Sequence, residues 1–146
     1  MTSPAALVVD TSVAIKWYIP EPGTERALQL LNPESRLIAP DLLVAEFGDV
    51  LWKKVRRGEL SPAEAREIAE ALVQACPVTL RPSLPYSASA LDIAIRFGRS
   101  VYDALYVSVA VAEDGRYVTA DERLVDALTS TDLAPFVRWL GAGHAT

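Results

Sequence analysis

The sequence has little of the side-chain chemistry on which many enzymes depend. Its 146 residues include one histidine, His144, and one cysteine, Cys76. A Ser-His-Asp or Cys-His arrangement, or cleavage by histidine acid–base catalysis, would depend on His144, which lies in an expected frayed tail. A single cysteine forms neither an intramolecular disulfide nor a CxxC pair, so it predicts a reducing, cytoplasmic setting. The sequence also contains no phosphate-binding loop of the GxxxxGK[ST] form.

Long apolar runs and an excess of basic charge are also absent. No run reaches the roughly 18 apolar residues that span a membrane, and the first ten residues lack the basic segment of a signal peptide. We therefore expect no association with a membrane. The 14 Lys and Arg are outnumbered by 19 Asp and Glu, which gives a formal net charge of −5. This balance argues against a general nucleic-acid coat, but a nuclease whose carboxylates hold divalent cations remains compatible with it.

Apolar residues are plentiful, at 51% of the chain, which is enough for a buried core. We expect one domain over residues 1–146, with 141–146 as a flexible tail. Short apolar strands are predicted at 7–9, 37–39, 78–80 and 116–119, with an edge strand at 136–140. Helices are predicted at 11–19, 24–31, 42–57, 62–75, 86–97, 100–112 and 122–128. The alternation predicts an α/β fold with three layers, α/β/α, around a short-stranded, mainly parallel central sheet.

Four acidic residues lie in or beside these apolar segments, namely Asp10, Glu46, Asp103 and Asp121. A carboxylate that faces an apolar interior is costly unless it pairs with a cation or binds a metal. No basic residue lies in the apolar runs LVVDTS, LLVAEFGDVLW and SVYDALYVSVAVA around Asp10, Glu46 and Asp103, so a hard cation is the natural partner. Local alternatives exist: Asp10 and Asp121 would serve as helix N-caps, Asp103 would complete a capping box with Ser100, and Glu46 would lie at a solvated helix edge. One shared site accounts for all four acids.

Oxygen ligands favour Mg²⁺ or Mn²⁺ over zinc, and such ions activate water for hydrolysis without a protein nucleophile. Two other classes stay open. A receiver or phosphatase also has an aspartate after its first strand, although the phosphatase pattern places a second aspartate where Ser12 stands. A non-enzymatic interaction module would use the acids to bind a basic segment of a partner.

Four segments together resemble one family: VVDTSVAIKWYIPE, LLVAEFGDVLWK, SVYDALYVSVA and VTADERL. In order and spacing they are similar to the PIN-domain ribonucleases, specifically the VapC-type toxins of toxin–antitoxin pairs, from Leu7 to about Leu140. The resemblance implies a PIN-like domain that hydrolyses RNA with Mg²⁺ or Mn²⁺, leaving a 5′-phosphate and a 3′-hydroxyl. It also implies a cognate antitoxin that occupies the acidic pocket, and a homodimer.

On matching positions, the resemblance implies that the metal-binding and catalytic residues are Asp10, Glu46, Asp103 and Asp121. It further implies that two hydroxyls, on Thr11 and Thr119, order the site. The chain departs from the family at Asp49, where many relatives carry Asn, and at Leu124, where some carry a further acid or Asn.

Candidate RNA contacts are basic residues near these segments, namely Lys53, Lys54, Arg56, Arg57, Arg99 and Arg123. A run of positive charge attracts the phosphate backbone of a nucleic acid. For the run at 53–57, the alternative is a solvated helix end that complements the helix dipole.

Overall fold

A computed structural model of the protein describes residues 4–142. Its centre is a five-stranded sheet in the order β3-β2-β1-β4-β5. The strands are β1 Ala6–Val9, β2 Arg36–Pro40, β3 Thr79–Arg81, β4 Arg116–Thr119 and β5 Val137–Trp139. Every strand pairing in the described chain is parallel, so the predicted mainly parallel sheet is confirmed.

Helices cover both faces of this sheet. Consecutive strand residues point to opposite faces, and the neighbours Val8 and Val9 are both 0% exposed. The helices are α1 Thr11–Ala14, α2 Thr24–Gln29, α3 Leu42–Arg56, α4 Pro62–Gln74, α5 Ser87–Phe97, α6 Val101–Ala112 and α7 Glu122–Leu128. The predicted α/β/α layering is therefore confirmed.

The first helix is shorter than the predicted span of 11–19. After α1 the chain tightens into a 3-10 turn at Ile15–Trp17. Pro20 disfavours helical backbone at the residue before it, so the helix ends early. The indole nitrogen of Trp17 donates to the carbonyl of Ala27, 2.8 Å away, and this bond ties the turn to α2.

Local capping explains where the other helices begin and end. Ser61 and Glu64 form a complete capping box at the start of α4, as the sequence predicts. Ser100 caps α6 by accepting a hydrogen bond from a backbone N–H. Gly58 and Gly98 follow α3 and α5 with φ of 74° and 66°, the left-handed conformation in which glycine carries no steric penalty.

Helix α6 lies at the centre of the fold and fixes the position of its first turn. Its residues from 104 to 110 are buried, and it packs against β1, β2 and β4. The turn into β4 passes so close to β1 that a Cβ on Gly115 would lie 2.4 Å from the carbonyl oxygen of Ala6. This close approach requires glycine.

The end of the described chain is a 3-10 turn at Leu140–Ala142. The rest of the expected tail, including His144, lies outside the described residues. No helix within residues 4–142 has the length and apolar character needed to cross a bilayer.

Candidate metal centre

Asp10 lies where β1 ends and α1 begins, and its side chain is 9% exposed. Its carboxylate accepts from Ser12 Oγ at 2.5 Å, from Thr119 Oγ1 at 2.6 Å and from the Val13 backbone N–H at 3.3 Å. The hydroxyl of Tyr117 also donates to it. Asp10 is thus a helix N-cap and at the same time a buried acid. Burial raises the pKa of Asp10, and these hydrogen bonds lower it by less.

Glu46 lies on α3 and faces the same region. It accepts a 2.6 Å hydrogen bond from the hydroxyl of Tyr106. Burial raises the pKa of Glu46, the Tyr106 bond lowers it, and the charges of Asp10, Asp103 and Asp49 raise it further. Asp49 is on α3 itself, whereas Asp10 and Asp103 come from the end of β1 and from α6. The fold therefore brings two acids that are distant in sequence close to Glu46.

Two stacked tyrosines lie beneath these acids. The rings of Tyr106 and Tyr117 have centroids 5.4 Å apart and planes 16° apart. Burial raises the pKa of both hydroxyls above the ordinary value, so each remains a protonated donor at neutral pH. The hydroxyl of Tyr106 donates to Glu46, and that of Tyr117 donates to Asp10. The stacked pair therefore sets the separation of two carboxylates that come from different elements.

Asp103 and Asp121 form the more exposed side of the site. The backbone N–H of Asp103 donates to Ser100 Oγ at 3.1 Å, while Asp121 Oδ1 accepts from the backbone N–H of Leu124 at 3.2 Å. Asp121 is therefore the N-cap of α7, as one reading of the sequence predicted. Arg99 Nη2 lies 3.4 Å from Asp103 Oδ2 and 4.0 Å from Asp121 Oδ2. Arg99 lies outside the apolar segments, just before α6, and its guanidinium faces these two acids.

Hydroxyl groups connect the buried side of the site, at Asp10, to the more exposed side, at Asp121. Thr119 Oγ1 donates to Asp10 and accepts from the backbone N–H of Asp121 at 3.2 Å. Ser12 Oγ donates to Asp10 and accepts from the backbone N–H of Ala120 at 3.0 Å. These bonds tie the end of β4 to the start of α1, so the two hydroxyls order the acids.

The sequence singled out Thr119 but not Ser12. The hydroxyl of Thr11, the other residue proposed for ordering, donates instead to the carbonyl of Leu43 at 3.5 Å. This bond goes to the start of α3 and not to one of the four acids. The signal for Ser12 was its place in the first turn after a buried aspartate, where a short hydroxyl reaches back to the cap.

The donor set suits a hard divalent cation. It consists of carboxylate and hydroxyl oxygens, which Mg²⁺ and Mn²⁺ prefer, and the buried charges of Asp10 and Glu46 have only neutral donors facing them. As the side chains stand, no group of three or more Asp, Glu, His or Cys within residues 4–142 is arranged so that it could hold a metal ion. Such an ion would therefore take few protein ligands and keep several waters, which is the usual habit of Mg²⁺.

A basic groove begins beside Asp10. It has a volume of about 290 Å³, and its lining includes Ser12, Lys16, Lys53, Lys54 and Arg57. Its lining carries four cations and one carboxylate, so it is positive in a protein of net negative charge. The groove therefore offers an anionic chain a path that starts at the acids.

The remaining basic candidates lie elsewhere. Arg56 stacks over the ring of Trp52 at 4.9 Å, outside the groove. Arg123 is exposed on α7, next to Asp121 in sequence. Asp49 forms a 2.9 Å ion pair with Lys53, and its side chain is 53% exposed. Asp49 therefore contributes charge near Glu46 from the solvated rim.

Comparison with known proteins adds independent information. The model of the PIN domain family matches residues 7–127. Ribonuclease VapC3 of Pyrobaculum aerophilum is 35% identical over 121 residues, which cover 82% of this chain and 92% of that protein.

Solved structures also share the fold. A crystal structure from Pyrobaculum aerophilum matches with a TM-score of 0.69 at 22% identity, over 95% of this chain and 86% of the other. A toxin–antitoxin complex from Klebsiella pneumoniae matches with a TM-score of 0.61 at 12% identity, over 90% and 95% of the two chains. At these identities the structures support the fold alone.

Proposed function

Because this chain belongs to the PIN-domain family, we propose that it is a Mg²⁺- or Mn²⁺-dependent endoribonuclease that hydrolyses RNA phosphodiester bonds. The observation that carries the proposal is the convergence of Asp10, Glu46 and Asp103 at one end of the sheet, beside a basic groove. In α/β proteins this end, beyond the carboxyl ends of the strands, is where ligands bind.

The metal ligands in this proposal are Asp10, Glu46, Asp103 and Asp121. When bound, a divalent cation supplies a nucleophilic water and neutralises charge on the phosphate. Ser12 and Thr119 fix the rotamer of Asp10, and Tyr106 fixes that of Glu46. Holding these carboxylate charges out of water destabilises the metal-free protein, and a bound cation would reduce that cost.

RNA binding in the proposal relies on the basic groove. Lys53 and Arg57 line it together with Lys16 and Lys54. Lys54 is 3.6 Å and Lys16 is 2.9 Å from Glu21, so these two lysines are already paired. Lys53 is itself 2.9 Å from Asp49 on the solvated rim. Arg57 is therefore the groove cation best able to contact phosphates, with Lys53 beside it and with Arg99 and Arg123 nearer the scissile bond.

We further propose that the protein acts in the cytoplasm as the toxin of a toxin–antitoxin pair. The support is its similarity to ribonuclease VapC3 and the fold it shares with a toxin–antitoxin complex. A cognate antitoxin would place a basic side chain among the acids. A homodimer would cover apolar side chains that α5 leaves exposed, such as Leu91 at 50% and Ile95 at 72%.

The test is cleavage of an end-labelled RNA by the purified protein. We expect products with 5′-phosphate and 3′-hydroxyl ends in Mg²⁺ or Mn²⁺, and no cleavage after chelation. Asp103→Asn should abolish cleavage, while Asp126→Asn, which alters an exposed acid on α7, should cleave like the wild type. Cleavage that survives chelation, or an Asp103→Asn variant of wild-type rate, would contradict the proposal.

A further inference from the structure

Arg99 is the one basic side chain within 4.0 Å of any of the four proposed ligands, among the residues the structure describes. It precedes the N-cap of α6, and its guanidinium reaches Asp103 Oδ2 at 3.4 Å and Asp121 Oδ2 at 4.0 Å. Its Nε is buried and has no hydrogen-bond partner within residues 4–142. The two carboxylates are therefore the groups that hold this side chain in place.

The four acids consequently divide into two unlike pairs. Asp10 and Glu46 receive hydrogen bonds from neutral groups, the hydroxyls of tyrosine, serine and threonine and one backbone amide. Asp103 and Asp121 instead face a full positive charge. The negative charge has no cationic partner on the buried side, whereas on the exposed side one guanidinium offsets one of the two carboxylate charges.

We propose that Arg99 takes the place of a second divalent cation, so that each chain binds a single metal ion on the side of Asp10 and Glu46. This inference rests on the proposed function and narrows its ligand set: Asp10 and Glu46 hold the ion, while Asp103 and Asp121 hold Arg99. An ion placed between Asp103 and Asp121 would need oxygens that already face the guanidinium, and it would meet a like charge at short range.

The same placement gives Arg99 a part in binding substrate. A guanidinium has five N–H donors in a planar fork, and the two carboxylates occupy the Nη2 end. The Nε–H is buried, which leaves Nη1 as the nitrogen that would meet a phosphate of RNA. Arg99 would thus offset part of the charge of the exposed acids and contact the phosphate with the same group.

The experiment counts bound Mn²⁺ by the paramagnetic resonance signal of the free ion, with purified protein and no RNA. Wild type should bind one equivalent and Arg99→Gln two, because the substitution frees the Asp103–Asp121 oxygens. Arg99→Lys, which retains a cation, should bind one. Arg123→Gln alters an exposed arginine on α7 and should also bind one.

Two wild-type equivalents, or one equivalent in a folded Arg99→Gln, would overturn the inference and leave the proposed function standing. If Arg99→Gln does not fold, Asp121→Asn provides the second test. It should still bind one equivalent, and loss of that ion would overturn the inference. A wild type that binds no Mn²⁺ would overturn both the inference and the proposed function.

Discussion

The hydrogen bond from Tyr106 to Glu46 gives a stability test of the site that needs neither metal nor RNA. Tyr106→Phe removes one hydroxyl and keeps the ring that stacks on Tyr117. The lost bond is 2.6 Å long and ends on a carboxylate. Net contributions of hydrogen bonds to charged groups are about 1.5–3 kcal/mol.

We expect the lower end of that range because Glu46 is only partly buried. A loss of about 1.5 kcal/mol corresponds to a fall of about 3–6 °C in melting temperature for a domain of this size. The measurement is urea unfolding of the metal-free protein. Tyr102→Phe is the matched control, because Tyr102 is 62% exposed and should change stability by less than about 0.5 kcal/mol.

The pH dependence of the cost of Tyr106→Phe distinguishes loss of the hydrogen bond to Glu46 from a simple packing effect. The Tyr106 bond lowers the pKa of Glu46, so it stabilises the ionised form and its contribution is lost as pH falls through that pKa. Glu46 itself behaves oppositely. Its pKa is raised on folding, so its own contribution is fully present below the unfolded pKa and is lost as pH rises through the folded pKa.

The cost of Tyr106→Phe should therefore be larger at about pH 8 than at about pH 5. An equal cost at both pH values would mean that the hydroxyl acts through packing. No measurable cost at either value would refute the reasoning about this bond.

Four further substitutions test other parts of the structure. Asp10→Asn should raise the melting temperature of the metal-free protein at neutral pH, because burial raises the pKa of Asp10 and a neutral side chain avoids the cost of a buried charge. A clear fall in melting temperature would contradict this. Ser12→Ala should cost about 1–3 kcal/mol in urea unfolding, because the partly buried amide of Ala120 loses its acceptor. An unchanged urea midpoint would contradict it. Gly115→Ala should cost at least about 1–3 kcal/mol, since its Cβ would meet a β1 carbonyl at 2.4 Å. A Cβ at Gly48 would have nothing within 4 Å, so Gly48→Ala should stabilise α3 by about 0.5–1 kcal/mol. Equal effects of Gly115→Ala and Gly48→Ala would contradict the argument that the Gly115 site has no room for a side chain.

Local signals made much of the fold predictable. Strand β4 and helix α7 have the predicted bounds of 116–119 and 122–128, because Gly115 and the N-cap Asp121 mark their limits. The capping box of Ser61 fixed the start of α4 in the same way. Such boundaries depend on residues within a few positions, so a sequence pattern contains them.

The contacts inside the site were less predictable because they depend on strand register. Val9 of β1 pairs with Val118 of β4, and that register brings Asp10 beside Thr119 and Tyr117. Ser12 and Arg99 join the site only once the strands and α6 are packed. The contacts of Ser12 with Asp10 and of Arg99 with Asp103 are local, but those of Ser12 with Ala120 and of Arg99 with Asp121 span distances in sequence that periodicity does not encode.

Measuring RNA cleavage by Asp10→Asn is the most direct test of the claim that the protein is a metal-dependent ribonuclease centred on Asp10. The assay compares initial rates of cleavage of one end-labelled RNA by wild type and variant at equal protein, with Mg²⁺ varied and folding verified by circular dichroism. We predict Mg²⁺-dependent cleavage by the wild type and none above background for Asp10→Asn at any Mg²⁺ concentration. A folded Asp10→Asn protein that cleaves as fast as the wild type would contradict a metal-dependent ribonuclease centred on this carboxylate.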